Sequence, residues 1–143
     1  MVRALTPAAQ GTEALDPIEA LRRVAFLLER SRAGTYRVEA FRNAVRTLKS
    51  LPPGDVEQRA AAGTLQELPG VGKSTAAVIE AAARGEHPAY LAALEEKVGG
   101  PLTTGGEELY AALQGDCHLH SDWSDGGSPI DEMVLTGLEL GHS

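Results

Sequence analysis

The run LQELPGVGKSTAAVIEAAARG, from Leu65 to Gly85, constrains the fold more than any other part of the chain. It reads as a short helix, a tight turn over residues 69–72 and a second helix. Thr64 is placed to N-cap the first helix, with Glu67 three residues on to complete a capping box. Pro69 ends that helix, because proline has no backbone N–H to donate. Gly70 and Gly72 permit positive φ, so the chain can reverse within a few residues. Leu65, Leu68, Val71, Ala76 and Ile79 are spaced to lock the two helices together. The turn leaves N–H groups at the start of the second helix, and such an end attracts anions, phosphate included.

The same run contains GVGKST, which invites a nucleotide-loop reading. A P-loop needs glycine five residues before its Gly-Lys pair, and a strand ahead of it. Glu67 puts a carboxylate where that glycine should be, and Thr64–Leu68 has helical character. The nucleotide loop is therefore set aside. Leu65, Leu68, Gly70, Val71, Gly72, Ala76 and Ile79 instead fill the marked positions of the helix-hairpin-helix motif, which the run resembles. In that family the hairpin backbone grips a DNA phosphate without reading sequence. The resemblance implies phosphate contacts from Gly70, Val71, Gly72 and Lys73, and a monovalent cation at the hairpin. A plain αα-hairpin without a ligand is the simpler alternative.

Net charge bears on this directly. The whole chain is at −7, which argues against nucleic acid until it is divided. Residues 17–84 are at +4, residues 1–16 at −1 and residues 85–143 at −10. The hairpin sits in a mildly basic module, followed by a strongly acidic stretch. That asymmetry suits a DNA-facing part joined to a carboxylate-rich part. No apolar run approaches the ~20 residues of a membrane span. A lone cysteine, Cys117, excludes an internal disulfide and fits a reducing cytoplasm.

Residues 1–15 lack periodicity and are expected to be disordered. Asp16-Pro17-Ile18-Glu19 is a strong helix start, with Asp as N-cap and Pro in the first helical position. This helix should run to about Arg32 and end near Gly34. A second follows from Arg37 to about Ser50, with Val38, Phe41, Val45 and Leu48 on one face and Arg42, Arg46 and Lys49 pointing away. Asp55–Ala62 makes a short third helix, closed by Gly63. After the hairpin pair, a helix from Pro88 to Lys97 carries Tyr90, Leu91 and Leu94. Residues 99–106 read as a flexible linker.

YRVEAFRNAVRTLKSLP, Tyr36–Pro52, taken with the hairpin, resembles the small N-terminal domain of family X DNA polymerases over residues 17–97. In that family the domain holds gapped DNA by its 5′ phosphate. Arg37, Phe41 and Arg42 fall where basic and aromatic residues line the phosphate pocket, and Arg46 adds charge nearby. Ser74 stands where a basic residue is common. Some members carry a lyase lysine at the position of Val78. Valine has no amine, so no lyase activity is expected. Lys73, in the first helical turn, would face phosphate rather than replace that nucleophile.

A second informative run is GDCHLHSDWSDG, Gly115–Gly126. Asp116, His118 and His120 alternate with Cys117 and Leu119, so on a strand they would share one face. The run resembles the opening motif of the PHP (polymerase and histidinol phosphatase) phosphoesterases. The resemblance implies His118, His120 and Asp125 as ligands of a zinc or manganese centre, with Asp116 supporting from nearby. Ser128–Glu132 starts another helix, which would complete the first βα unit of a barrel. The family's later ligands are absent, and a barrel needs at least ~200 residues, judging by related barrels. The chain is expected to be a fragment, inactive by itself, with no polymerase palm.

The expected fold is thus mainly α. A helix-hairpin-helix bundle of four to five helices spans residues 16–98. One βα unit of an incomplete PHP barrel spans residues 107–143, with Leu109, Tyr110 and Leu113 anchoring a helix at its start. The expected function is non-sequence-specific DNA binding ahead of a metal-dependent phosphoesterase, in DNA repair or end processing. The alternative is a histidinol-phosphatase-like enzyme whose helical module is a structural or protein-interaction appendage.

Overall fold

A computed structural model of the chain describes residues 15–100, 104–139 and 141–142. The disorder expected for residues 1–15, and the middle of the linker, fall outside this range except at Leu15. The described residues form two units, 15–100 and 104–142, with seven α-helices between them and no strand. No described helix is long and apolar enough to cross a membrane.

The first unit is a bundle built around α1 (Pro17–Arg30). Asp16 caps it as expected: its carboxylate accepts from Ile18 N at 2.8 Å and Glu19 N at 3.3 Å. α1 packs against α2 (Thr35–Lys49), α4 (Lys73–Ala83) and α5 (Ala89–Val98). Leu21, Val24, Leu28, Leu65, Val78, Ile79 and Leu91 are fully buried between them. Buried alanines at 20, 44, 76 and 82 let the helices approach closely. α3 (Asp55–Ala62) lies at the edge and buries no residue completely. Arg30 fastens the far end of α5 to α1, its Nε donating to Val98 O at 2.9 Å and its Nη2 to Gly100 O. These carbonyls lie at a helix C-terminus, where no intrahelical donor reaches them.

α1 stops two residues earlier than its pattern suggests. Arg32 takes a left-handed conformation with φ 56°, Ala33 N donates to Leu28 O and Arg32 N to Glu29 O, both at 2.9 Å. This is a Schellman ending with arginine in the place that glycine usually fills. α4 closes the same way, with Gly85 at φ 73°.

The first arm of the hairpin also differs from expectation. Leu65–Glu67 is a single 3-10 turn, and Thr64 makes no side-chain cap. Gly63 in the left-handed region ends α3, and Leu68 must be extended before Pro69. Only the four residues 64–67 remain between, too few for an α-turn and its cap.

In the second unit, α6 (Glu107–Ala112) and α7 (Ile130–Glu139) flank an irregular run. The strand expected at Asp116–His120 is absent, and with it the βα unit. A strand needs neighbours for its backbone groups. Here the Asp116 carboxylate instead accepts from His118 N at 3.0 Å, a local turn that bends the chain. Leu109, Tyr110 and Leu113 are exposed rather than anchoring α6.

Candidate nucleic-acid interface

The hairpin is held by apolar contacts on one side and by polar contacts to α2 on the other. Leu65, Leu68, Val71, Ala76 and Ile79 are all buried, as their spacing requires. Pro69 O accepts from Thr47 Oγ1 at 2.8 Å, tying the turn to α2. Gly70 has φ 76°, whereas Gly72 is extended at φ −99° and ψ −176°. Only Gly70 therefore uses the left-handed freedom. A Cβ on Gly72 would meet nothing within 4 Å, so its bare backbone is a surface feature, not a packing requirement.

The start of α4 is completed by Thr75, buried at the third helical position. Its Oγ1 accepts from Gly72 N at 2.8 Å and donates to Gly72 O at 3.0 Å. Val71 N donates to Leu68 O at 3.2 Å. Two of the four N–H groups assigned to phosphate thus have partners inside the protein. Among the described residues, the N–H groups of Gly70, Lys73 and Ser74 have none. Orphan donors at a helix start concentrate positive potential there, and the exposed Lys73 side chain adds a full charge.

The basic residues of α2 divide into three situations. Arg42, expected to point outward, is only 8% exposed; its Nη2 lies 2.7 Å from Glu29 Oε2 and its Nη1 3.3 Å from Glu39 Oε1. It joins α1 to α2 and faces carboxylates, not solvent. Arg37 is exposed, and its Nη2 donates to Tyr90 Oη at 2.7 Å. Arg46 is exposed on the flank nearer the hairpin, with Nη1 2.5 Å from Asn43 Oδ1. Phe41 is buried and stacks on Tyr90 with ring centroids 5.8 Å apart, so it lines the core rather than a phosphate pocket. Val78 is buried too, inside the bundle.

Asn43, Thr47 and Thr75 carry much of the local geometry and had no role in the sequence argument. Thr75 could have been found, since the third helical position is where a side chain reaches back to an N-cap. Asn43 and Thr47 could not, because the turn they stand against, at Pro69 and Gly70, lies more than twenty residues away along the chain.

In the second unit, His118, His120 and Asp125 come together. His120 Nδ1 lies 2.5 Å from Asp125 Oδ1, and His120 Nε2 lies 2.7 Å from His118 Nε2. An ionised carboxylate can only accept, so His120 donates through Nδ1, and its Nε2 shares a hydrogen bond with His118 Nε2. Gly126 makes the arrangement possible: the loop closes so tightly that any Cβ there would strike His120 O. Two nitrogens around a tetrahedral zinc at 2.0–2.1 Å would stand about 3.3 Å apart, so this is hydrogen-bond rather than ligand geometry. Asp125 sits on the opposite side of the His120 ring from Nε2. Among the described residues no group of three or more His, Cys, Asp or Glu could hold a metal ion, and two imidazoles alone do not complete a site.

No curated protein and no solved structure matches the chain. A family model described as a helix-hairpin-helix domain matches residues 13–87, more than half of the chain. The match spans α1 through α4, including the turn with the unpartnered N–H groups, and the chain belongs to the helix-hairpin-helix family.

Proposed function

We propose that this chain binds DNA through its phosphate backbone, without sequence preference. The observation that carries the proposal is the start of α4 in a helix-hairpin-helix chain: unpartnered N–H groups at Gly70, Lys73 and Ser74 beside the Lys73 ammonium. Gly72 supports it, since its missing Cβ lets a strand approach the backbone closely. Val71 contributes packing, with its N–H already committed. Arg37 and Arg46 add charge, whereas Arg42 serves the fold. Such contacts set register and not base choice. With few phosphates neutralised, binding of order 10⁻⁴–10⁻⁶ M at physiological salt is expected. Fluorescence anisotropy of gapped and single-stranded oligonucleotides tests this. Lys73→Ala should weaken binding and flatten its salt dependence; absence of binding at low salt, or no effect of the substitution, would sink the proposal.

A finer reading follows from the second unit. The Asp116–Gly126 run is assigned to a PHP-type, metal-dependent phosphoesterase to which the helical module delivers DNA ends for repair. What supports it is the closeness of His118 and His120, whose Nε2 atoms share a hydrogen bond that a metal would have to replace, with Asp125 bonded to His120 Nδ1. A ligating histidine commonly donates its other nitrogen to a carboxylate in this way. Asp125 would then orient a ligand rather than be one. A zinc or manganese ion would supply a Lewis acid; His118 and His120 would give two of its ligands, and two nitrogens alone do not complete the site. Elemental analysis of the purified protein, with and without His118→Ala/His120→Ala, tests the assignment: metal content unchanged by the substitutions refutes it. Phosphatase activity on small phosphate esters without any DNA affinity would favour the histidinol-phosphatase-like alternative.

A further inference from the structure

α2 touches the hairpin with one face, and that face carries polar side chains beyond those that hold the turn. Thr47 Oγ1 donates to Pro69 O, and a Cβ on Gly70 would stand 3.5 Å from Asn43 Cβ. Asn43 and Thr47 are four residues apart and so lie on one side of the helix. Asn43 Oδ1 accepts from Arg46 Nη1 at 2.5 Å. The Arg46 guanidinium is thereby held one asparagine side chain away from Gly70, whose N–H has no partner. The Arg46 side chain is still 54% exposed. Glu39 Oε2 lies 3.7 Å from Arg46 Nη1, too long for a hydrogen bond, and the same carboxylate serves Arg42 at 3.3 Å. The hydrogen bond of Arg46 is therefore to a neutral amide, and its ion pair with Glu39 is long, exposed and shared with Arg42, so it offsets the cation only in part.

We infer that Arg46, positioned by Asn43, is a second phosphate contact beside the hairpin, so that the site takes two neighbouring phosphodiesters of one strand. The inference rests on the phosphate-binding reading of the hairpin and names its ligand class: a polynucleotide strand, rather than a lone phosphate or a mononucleotide. The hairpin's neutral N–H groups suit one phosphate. The guanidinium fork suits the next, because its donors match phosphate oxygens in pairs. Asn43 brings no charge. It removes rotamer freedom that an untethered arginine would lose on binding.

The test is a salt titration of the full chain against labelled duplex and single-stranded oligonucleotides, between about 50 and 200 mM salt. Arg46→Gln should reduce the slope of log K against log salt by about 0.9 on duplex and about 0.7 on single strands. Asn43→Ala changes no charge and should weaken binding several-fold. The double variant should bind no more weakly than Arg46→Gln alone, since Asn43 acts through Arg46. Inorganic phosphate should compete equally well against wild type and Arg46→Gln, because it fills only the hairpin. An unchanged slope in Arg46→Gln, or additive losses in the double variant, overturns the inference. Both side chains are exposed, so urea midpoints should match wild type in every variant. Loss of binding in Lys73→Ala with no effect at Arg46 removes this inference alone. No binding by wild type at low salt removes the hairpin reading and this one with it.

Discussion

Single residues in this chain separate conformational need from functional exposure, and glycine separates them most clearly. Gly70 needs φ 76°, a region that costs an L-residue about 1–2 kcal/mol. Gly72 is extended and has open space where a Cβ would go. Gly70→Ala should therefore lower the urea-unfolding free energy by roughly that amount, whereas Gly72→Ala should change it little. DNA affinity should respond the other way for Gly72: a methyl there obstructs close approach and costs roughly 1–2 kcal/mol, about five- to thirtyfold in Kd. A Gly72→Ala protein that unfolds as wild type and binds as wild type would exclude the hairpin as the contact surface. Arg32 offers the complementary experiment. It occupies at the end of α1 the position Gly85 occupies at the end of α4, and its side chain makes no stabilising contact among the described residues. Arg32→Gly should raise stability by up to about 1 kcal/mol after glycine's own entropic cost. A lower urea midpoint would mean that the arginine side chain earns its place elsewhere. Arg42 marks what a local pattern can and cannot say. At about 100° per residue it lies about 40° from Val38, on the rim of the apolar stripe. Its burial was thus within reach of the sequence, but its partner Glu29, on another helix, was not.

At the scale of elements, segments bounded by their own local stop and start signals were legible, and those whose form depends on distant parts of the chain were not. α1, α2, α3 and α5 begin and end within a few residues of their sequence signals, because residues such as Asp16 and Gly63 act through the local backbone. The Leu65–Glu67 arm failed as an α-turn because its length is set jointly by Gly63 and Pro69, not by the capping potential of Thr64. The Asp116–His120 alternation failed as a strand because alternation specifies a face, while pairing specifies a strand. α6 exposes a further local device. The Glu107 carboxylate accepts from Gly105 N at 2.9 Å and Gly106 N at 2.8 Å, ahead of its own helix. Backbone donation from Gly105, Glu107 and Gly106, in that order, holds its carboxyl below the ordinary glutamate value. A depressed folded value means that the contact contributes order above the unfolded pKa and loses it as pH falls through the folded one. The amide resonances of Gly105 and Gly106 should accordingly titrate in the acid range with a midpoint below that of an ordinary glutamate. A midpoint at or above that value would mean that the carboxylate does not cap this turn.

For the molecule as a whole, the proposed DNA binding sets a local positive site against an unfavourable total charge. Residues 104–142 contain eight Asp and Glu and no Lys or Arg, while the helical unit carries nearly all the basic residues. The proposed contact site would act at hydrogen-bond range and should persist at moderate salt. The net charge of −7 acts through the long-range field, which is screened beyond about 10 Å at 0.1 M ionic strength. The two contributions therefore separate on a salt axis. Exposed acids of the second unit outside the histidine cluster, Glu108 and Asp122, provide the handle. Glu108→Gln/Asp122→Asn should raise DNA affinity a few-fold near 0.02 M salt, mainly through a faster association rate. The same variant should converge on wild type by roughly 0.3 M, where the Debye length is only several ångströms. Persistence of the gain at high salt would place these carboxylates at the contact itself, and would move the interface away from the hairpin. Equal affinity at every salt concentration would show that the acidic stretch exerts no field at the site, leaving the hairpin's own donors and Lys73 to set binding alone.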